Sequence, residues 1–166
     1  MRKRQSKAHR SAGFTLIELM VTLALVMVLA LVGVPSLLQF INQNRLTSTA
    51  YLMRDTHTFA RQEALKRLRT ITICPLAQAT GGCDSKSWNQ GLLVYLDNDG
   101  VKGFDASVDR LLKRSIFPQS MNIAWNNGAR ISLFESGGST AGTFVLTSGT
   151  TIKKLVISPI GRIRTE

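Results

Sequence analysis

From Leu19 to Asn44 the chain carries no charged residue over 26 positions. About 20 apolar residues in a row suffice to cross a bilayer as a helix. The helical pattern is longer than that and reads from Phe14 to about Leu68. Gly33 and Pro35 are expected to interrupt it, because a proline removes one helical hydrogen bond and kinks or melts the turn before it. Beyond Asn44 the pattern becomes amphipathic. Leu46, Ala50, Met53, Ala60, Ala64 and Leu68 recur at three- and four-residue spacing, with His57 on the same stripe as a packing residue. Arg54, Asp55, Arg61, Lys66 and Arg69 fall elsewhere. Small alanines on the buried side would let a sheet approach closely. From Thr70 the period changes to two. Strands are expected at Thr70–Cys74, Gly91–Leu96, Arg110–Phe117, Asn122–Trp125, Arg130–Phe134, Thr143–Thr147 and Thr151–Ile157. Between them stand the turn signals Asn98-Asp99-Gly100, Pro118, Asn126-Asn127-Gly128, Gly137-Gly138 and Ser148-Gly149. The pattern therefore predicts an α+β fold, with antiparallel sheet, in two parts, laid on the amphipathic half of one long helix.

Charge changes the picture at the N-terminus. Arg2, Lys3, Arg4, Lys7 and Arg10 precede the apolar run, which places the N-terminus in the cytoplasm and the C-terminal part outside. A cleaved secretory signal fits poorly, because its small residues follow the apolar region, whereas Gly13 precedes it. A plain membrane anchor is the simpler alternative. One acid, Glu18, stands at the edge of the span, where a carboxylate costs about 2.5–3.5 kcal/mol and needs a partner or a role.

The order basic leader, Gly13, Phe14-Thr15-Leu16-Ile17-Glu18-Leu19, apolar run resembles the class III signal of type IV pilins and pseudopilins. The resemblance implies a type IV pilin-like fold and cleavage between Gly13 and Phe14 by a prepilin peptidase. It also implies N-methylation of Phe14, and pairing of Glu18 with the N-terminal amine of a neighbouring subunit. The physics agrees: an ammonium and a carboxylate in an apolar medium neutralise each other, and neither is tolerated alone. The implied organisation is a removed leader at 1–13, a transmembrane and assembly half-helix at 14–41, and a periplasmic globular domain at 42–166. The chain would be a single-pass inner-membrane protein that becomes extracellular on assembly. Its partners would be the inner membrane, the peptidase and other pilin subunits.

Without the leader, 16 basic residues face 10 acidic ones, a net +6 that points to an anionic partner or simply to solubility. Cys74 and Cys83 flank a short glycine-containing segment. In an oxidising periplasm such a pair reads as a disulfide, the alternatives being two free thiols or half of a metal site. The only histidines, His9 and His57, are far from them in sequence, which disfavours the metal.

Three later stretches resemble the GspH/FimT branch of the pilin-like group: Thr72-Ile73-Cys74-Pro75, Trp88–Tyr95 leading into Asp97-Asn98-Asp99-Gly100, and Ile157–Arg164. In FimT-like minor pilins a C-terminal Gly-Arg-x-Arg motif is associated with DNA binding in natural transformation. Gly161-Arg162-Ile163-Arg164 matches it. If the tail is extended, Arg162 and Arg164 point to the same side and can grip successive phosphates. Adjacent Lys153 and Lys154 must face opposite sides, so at most one joins them. Lys102 and Arg130 are candidates by charge alone. Sequence-nonspecific binding through about four phosphate contacts would give a slope of log affinity against log salt near −3.6. The simpler alternative is a frayed, solvated basic tail. A second functional reading is a structural minor pilin or a type II secretion pseudopilin without DNA binding.

Asp97-Asn98-Asp99-Gly100 departs from a calcium-binding EF-hand loop, because Gly100 follows Asp99 directly and no glutamate follows at the required place. It reads as a hairpin turn. No nucleophile–base arrangement or paired catalytic carboxylates stand out, so no enzyme activity, metal or cofactor is expected.

Overall fold

The computed structural model describes residues 14–83, 87–101, 103–118 and 121–166. Two compact units divide the chain, Met1–Leu38 and Gln39–Glu166. Within the first, helix α1 (Leu16–Arg67) begins. Thr15 caps it: its Oγ1 accepts the Glu18 backbone N–H at 3.3 Å. Glu18 thus occupies the first turn, where a negative charge complements the helix dipole. Apolar side chains here, from Leu16 to Leu38, are all exposed, and the helix holds a stretch long and apolar enough to cross a membrane. A helix apolar on every side and exposed in water has no core of its own to join.

The helix runs through Gly33 and Pro35 without a break. The expected interruption is therefore corrected. Proline withholds only the hydrogen bond that the Leu31 carbonyl would accept, and the turns on either side keep theirs.

Among the described residues of the second unit, eight strands form two four-stranded sheets. The first has the order β3-β2-β1-β5, from β1 (Ile71–Pro75), β2 (Gly91–Leu96), β3 (Arg110–Ile116) and β5 (Ile131–Leu133). The second has the order β4-β6-β7-β8, from β4 (Asn122–Trp125), β6 (Gly142–Ser148), β7 (Thr151–Ile157) and β8 (Ile163–Thr165). Every pairing is antiparallel. Seven strands match the periodicity, with ends shifted by a residue or so; β8 was expected only as a tail.

One core joins α1 to both sheets. Leu46, Ala50, Met53, Ala60 and Ala64 meet Ile71, Ile73, Leu92 and Val94 of the first sheet and Phe144, Leu146, Leu155 and Ile157 of the second. Ala60 and Ala64 have no exposed surface, so backbone and sheet approach closely there. Two buried threonines complete the stripe. Thr49 donates to Met121 Sδ at 3.6 Å, and Thr56 shares a hydrogen bond with Ser115 at 3.3 Å. Leu68, expected on the stripe, is 68% exposed. It follows the helix in a left-handed conformation, φ 52°, where the last turn ends and glycine is the usual occupant. Behind the first sheet a smaller cluster of Cys74, Leu76, Leu93 and Tyr95 is closed by Phe104 and by Cys83, which is disulfide-bonded to Cys74.

His57 is buried on α1 and faces Ser139, Nε2 to Oγ 3.4 Å. Burial, and secondarily the Arg61 guanidinium one turn on, lowers its pKa from 6.5 to about 4. The folded protein holds His57 neutral where the unfolded chain protonates it. The stability so gained is present above pH 6.5 and is lost as pH falls toward 4. Urea unfolding of the detergent-solubilised chain should therefore show stability falling by about 2 kcal/mol between pH 7 and pH 5, and a His57→Gln variant should show a flatter profile.

Candidate functional site

The C-terminal residues form the edge of the second sheet. In the β7–β8 hairpin Ile157 pairs with Ile163, Val156 with Arg164 and Leu155 with Thr165. The ladder continues at both ends. Lys154 and Glu166 exchange backbone hydrogen bonds at 3.0 and 2.9 Å, and the Ser158 N–H donates to the Arg162 carbonyl at 2.9 Å. Opposed residues share a face and alternate residues share a side. Arg162, Arg164 and Glu166 therefore line up with Ser158, Val156 and Lys154 on one face. Leu155, Ile157 and Ile163 point the other way, into the core. The chain end is a strand with a paired backbone, which removes the frayed-tail alternative.

Gly161 makes the turn possible. Its φ is +74°, and a Cβ there would lie 2.4 Å from the Gly137 carbonyl oxygen and 2.8 Å from Arg61 Nε. Arg61 fills that space. Its Nε donates to the Gly137 carbonyl at 2.9 Å, and its Nη2 donates to the Ile160 carbonyl at 3.3 Å. The Ser139 N–H donates to the Pro159 carbonyl at 2.9 Å. Helix, β5–β6 loop and hairpin turn are thus fastened together around one glycine.

Between α1 and the hairpin runs an open groove of about 860 Å³. Arg54, Thr58 and Arg61 form one side of it, at the i, i+4, i+7 spacing that puts them on one helix face. Arg162 and Arg164 stand on the other, and no acidic residue lines it among the described residues. Arg164 Nη2 is 3.0 Å from Glu166 Oε1, an ion pair with both partners at least half exposed. Such pairs are worth little, so Arg164 remains available to a stronger anion. A guanidinium presents a planar fork that fits two phosphate oxygens, and several around one concave surface suit a chain of phosphates.

The structure does not bring the other candidate cations together here. Lys153 lies on the inner side of β7, and its ammonium donates to Thr47 Oγ1 at 2.7 Å. Lys154, on the outer side, flanks Arg164 across from Glu166. Arg130 leads into β5 of the other sheet and is not part of the groove. Lys102 lies outside the described residues, as does Gly13. Phe14 and Glu18 belong to the first unit and are exposed. Charge alone did not single out Arg54 and Arg61. The signal was their helical spacing, but what faces that side of the helix is decided only by the packing of β7 and β8.

Asp97, Asp99 and Asp109 also converge, with ligand-type oxygens within 4.8 Å of one another. Asp97 Oδ1 accepts from the Gly100 N–H at 2.7 Å, and Asp109 accepts from the Asn98 and Asp105 N–H groups at 3.0 Å each. These carboxylates organise the β2–β3 connection. It is a longer, internally bonded loop than the tight hairpin turn expected.

Replacing Gly161 by alanine forces a left-handed alanine to within 2.4 Å of the Gly137 backbone oxygen, so the backbone there must shift. The expected loss is at least about 2 kcal/mol, read as a lowered unfolding midpoint of the detergent-solubilised chain.

Comparison with known proteins agrees with this architecture. Residues 53–161 match the model of the type II transport protein GspH, and residues 8–34 match the prokaryotic N-terminal methylation motif. No curated protein sequence matched the chain. Among solved structures, the type IV minor pilin FimU of Pseudomonas aeruginosa (strain PAO1) is similar at a TM-score of 0.60 and 23% identity, over 76% of this chain and 92% of that one. The minor pseudopilin EpsH from the type 2 secretion system of Vibrio cholerae is similar at a TM-score of 0.53 and 9% identity, over 74% and 96%. At these identities the likeness is one of fold. The family model spans most of the sheet-bearing unit and the methylation motif spans the start of α1, so the chain belongs to the GspH family.

Proposed function

We propose that the chain is a minor type IV pilin that binds DNA without sequence preference and serves DNA uptake in natural transformation. The observation that carries this reading is Gly161-Arg162-Ile163-Arg164 on an ordered edge strand, with both arginines exposed on one face beside a groove lined by no acid among the described residues. Two guanidinium groups two residues apart on a strand suit successive phosphates, and phosphate contacts give affinity without reading bases. Single sites of this size bind weakly; several subunits in one filament gain by avidity.

In this reading residues 1–13 are removed between Gly13 and Phe14, and Phe14 is methylated. Glu18 then pairs with a neighbour's new ammonium inside the apolar bundle. Residues 14–41 hold the subunit in the inner membrane before assembly, and residues 42–166 face the periplasm and then the exterior. No catalytic role, metal or cofactor is proposed.

The second reading, a structural pseudopilin of type II secretion, draws on the description of the matching family. It needs the helix and Glu18 and has no use for a cationic edge strand. Binding separates the two readings. The full chain in a neutral detergent should retard a short DNA duplex at low salt, and Arg162→Ala with Arg164→Ala should weaken binding about a hundredfold and make the salt slope shallower by about 1.8. Retardation unchanged in the double variant would remove the assigned site.

A further inference from the structure

We propose that DNA is held in the groove between α1 and β8, with Arg54 on the helix wall making a phosphate contact of the same kind as Arg162 and Arg164. The proposal rests on the reading of the hairpin as a DNA site and extends it to a second wall. The surroundings of both walls point the same way. Arg54 is exposed, lines the groove, and forms no hydrogen bond or ion pair through its guanidinium with the described residues. The acids near it on α1 are taken. Asp55 is bonded to Lys113 at 2.7 Å, and Glu63 is paired with Arg67 four residues on. The Thr58 hydroxyl, between Arg54 and Arg61, donates to the Arg54 carbonyl at 2.9 Å, so its proton is committed to the helix.

Arg61 has a different part. Its Nε and Nη2 donate to the Gly137 and Ile160 carbonyls, so it ties the helix to the hairpin turn while adding its charge to the helix side of the groove. It is a positioning residue. Across the groove Arg162 also has no side-chain partner among the described residues, and only Arg164 is neutralised, by Glu166. Several guanidinium groups around one concave surface repel one another, and an entering phosphate chain relieves that repulsion. Glu166 is then an internal competitor. A phosphate that takes Arg164 must displace its carboxylate.

The test uses the full chain in a neutral detergent and a fluorescein-labelled 20-base-pair duplex, with anisotropy read over a series of potassium chloride concentrations. Three contacts predict a slope near −2.7 for the unaltered protein. Arg54→Ala should bring the slope to about −1.8 and weaken binding roughly tenfold, while Arg54→Lys keeps the slope. Arg54 is exposed in a helix interior and alanine is the best helix former, so this variant keeps its fold. Glu166→Gln should bind severalfold more tightly, and Arg130→Ala, outside the groove, should match the unaltered protein. If Arg54→Ala binds like the unaltered protein while the Arg162, Arg164 double variant shows its expected loss, the groove is wrong and the hairpin site stands. Equal losses in Arg54→Ala and Arg130→Ala mean a diffuse charge effect and also overturn the groove. No binding by the unaltered protein at low salt overturns both the groove and the DNA reading.

Discussion

The buried stripe of α1 from Leu46 to Ala64 is the constraint on which the globular unit depends. Leu46 and Met53 reach into the core between the two sheets, and the sheets come closest to the helix where its contact residues are small. Ala50, Ala60 and Ala64 are those residues, and Thr49, Thr56 and His57 find polar partners within the interface. Everything that follows α1 is folded onto this stripe. The face beside it, carrying Arg54, Thr58 and Arg61, is left where the second sheet runs out at β8. An edge strand and an uncovered helix flank meet there, and the groove is the space neither fills.

Much of this was legible in the chain. The 26 uncharged positions, the three- and four-residue spacing beyond Asn44 and the alternation after Thr70 correctly predicted the helix and seven strands. What was missed has physical causes. Pro35 looked like a break, yet it removes one donor only and the surrounding turns persist. Leu68 has the spacing of a core residue but follows the helix end, where the chain turns left-handed and carries it outward. Strand β8 is three residues long, and Arg-Ile-Arg-Thr reads as a charged tail until its backbone is seen paired with β7. Pairing is a long-range property; no local pattern announces it.

The same holds for the site. Gly161 is a conformational requirement, fixed by its positive φ and by the Gly137 oxygen and Arg61 nitrogen that leave no room for a side chain. The arginines beside it carry the charge. Sequence could place Arg162 and Arg164 on one side of an extended chain. It could not show that Lys153 turns inward to Thr47, or that Arg54 and Arg61 come to face the hairpin from about a hundred residues away. Arg61 joins structure to charge, since the bonds that hold the turn also present the groove.

Phosphates that enter between α1 and β8 would meet Arg54 and the hairpin arginines at once. The most direct measurement is nuclear magnetic resonance of the arginine Nε–H groups of the full chain in a neutral detergent, during titration with a short DNA duplex. The signals of Arg54, Arg162 and Arg164 should then move together, with the same midpoint, while Arg130 stays still. Movement of Arg162 and Arg164 without Arg54, or of Arg130 as much as the others, would contradict entry between α1 and β8.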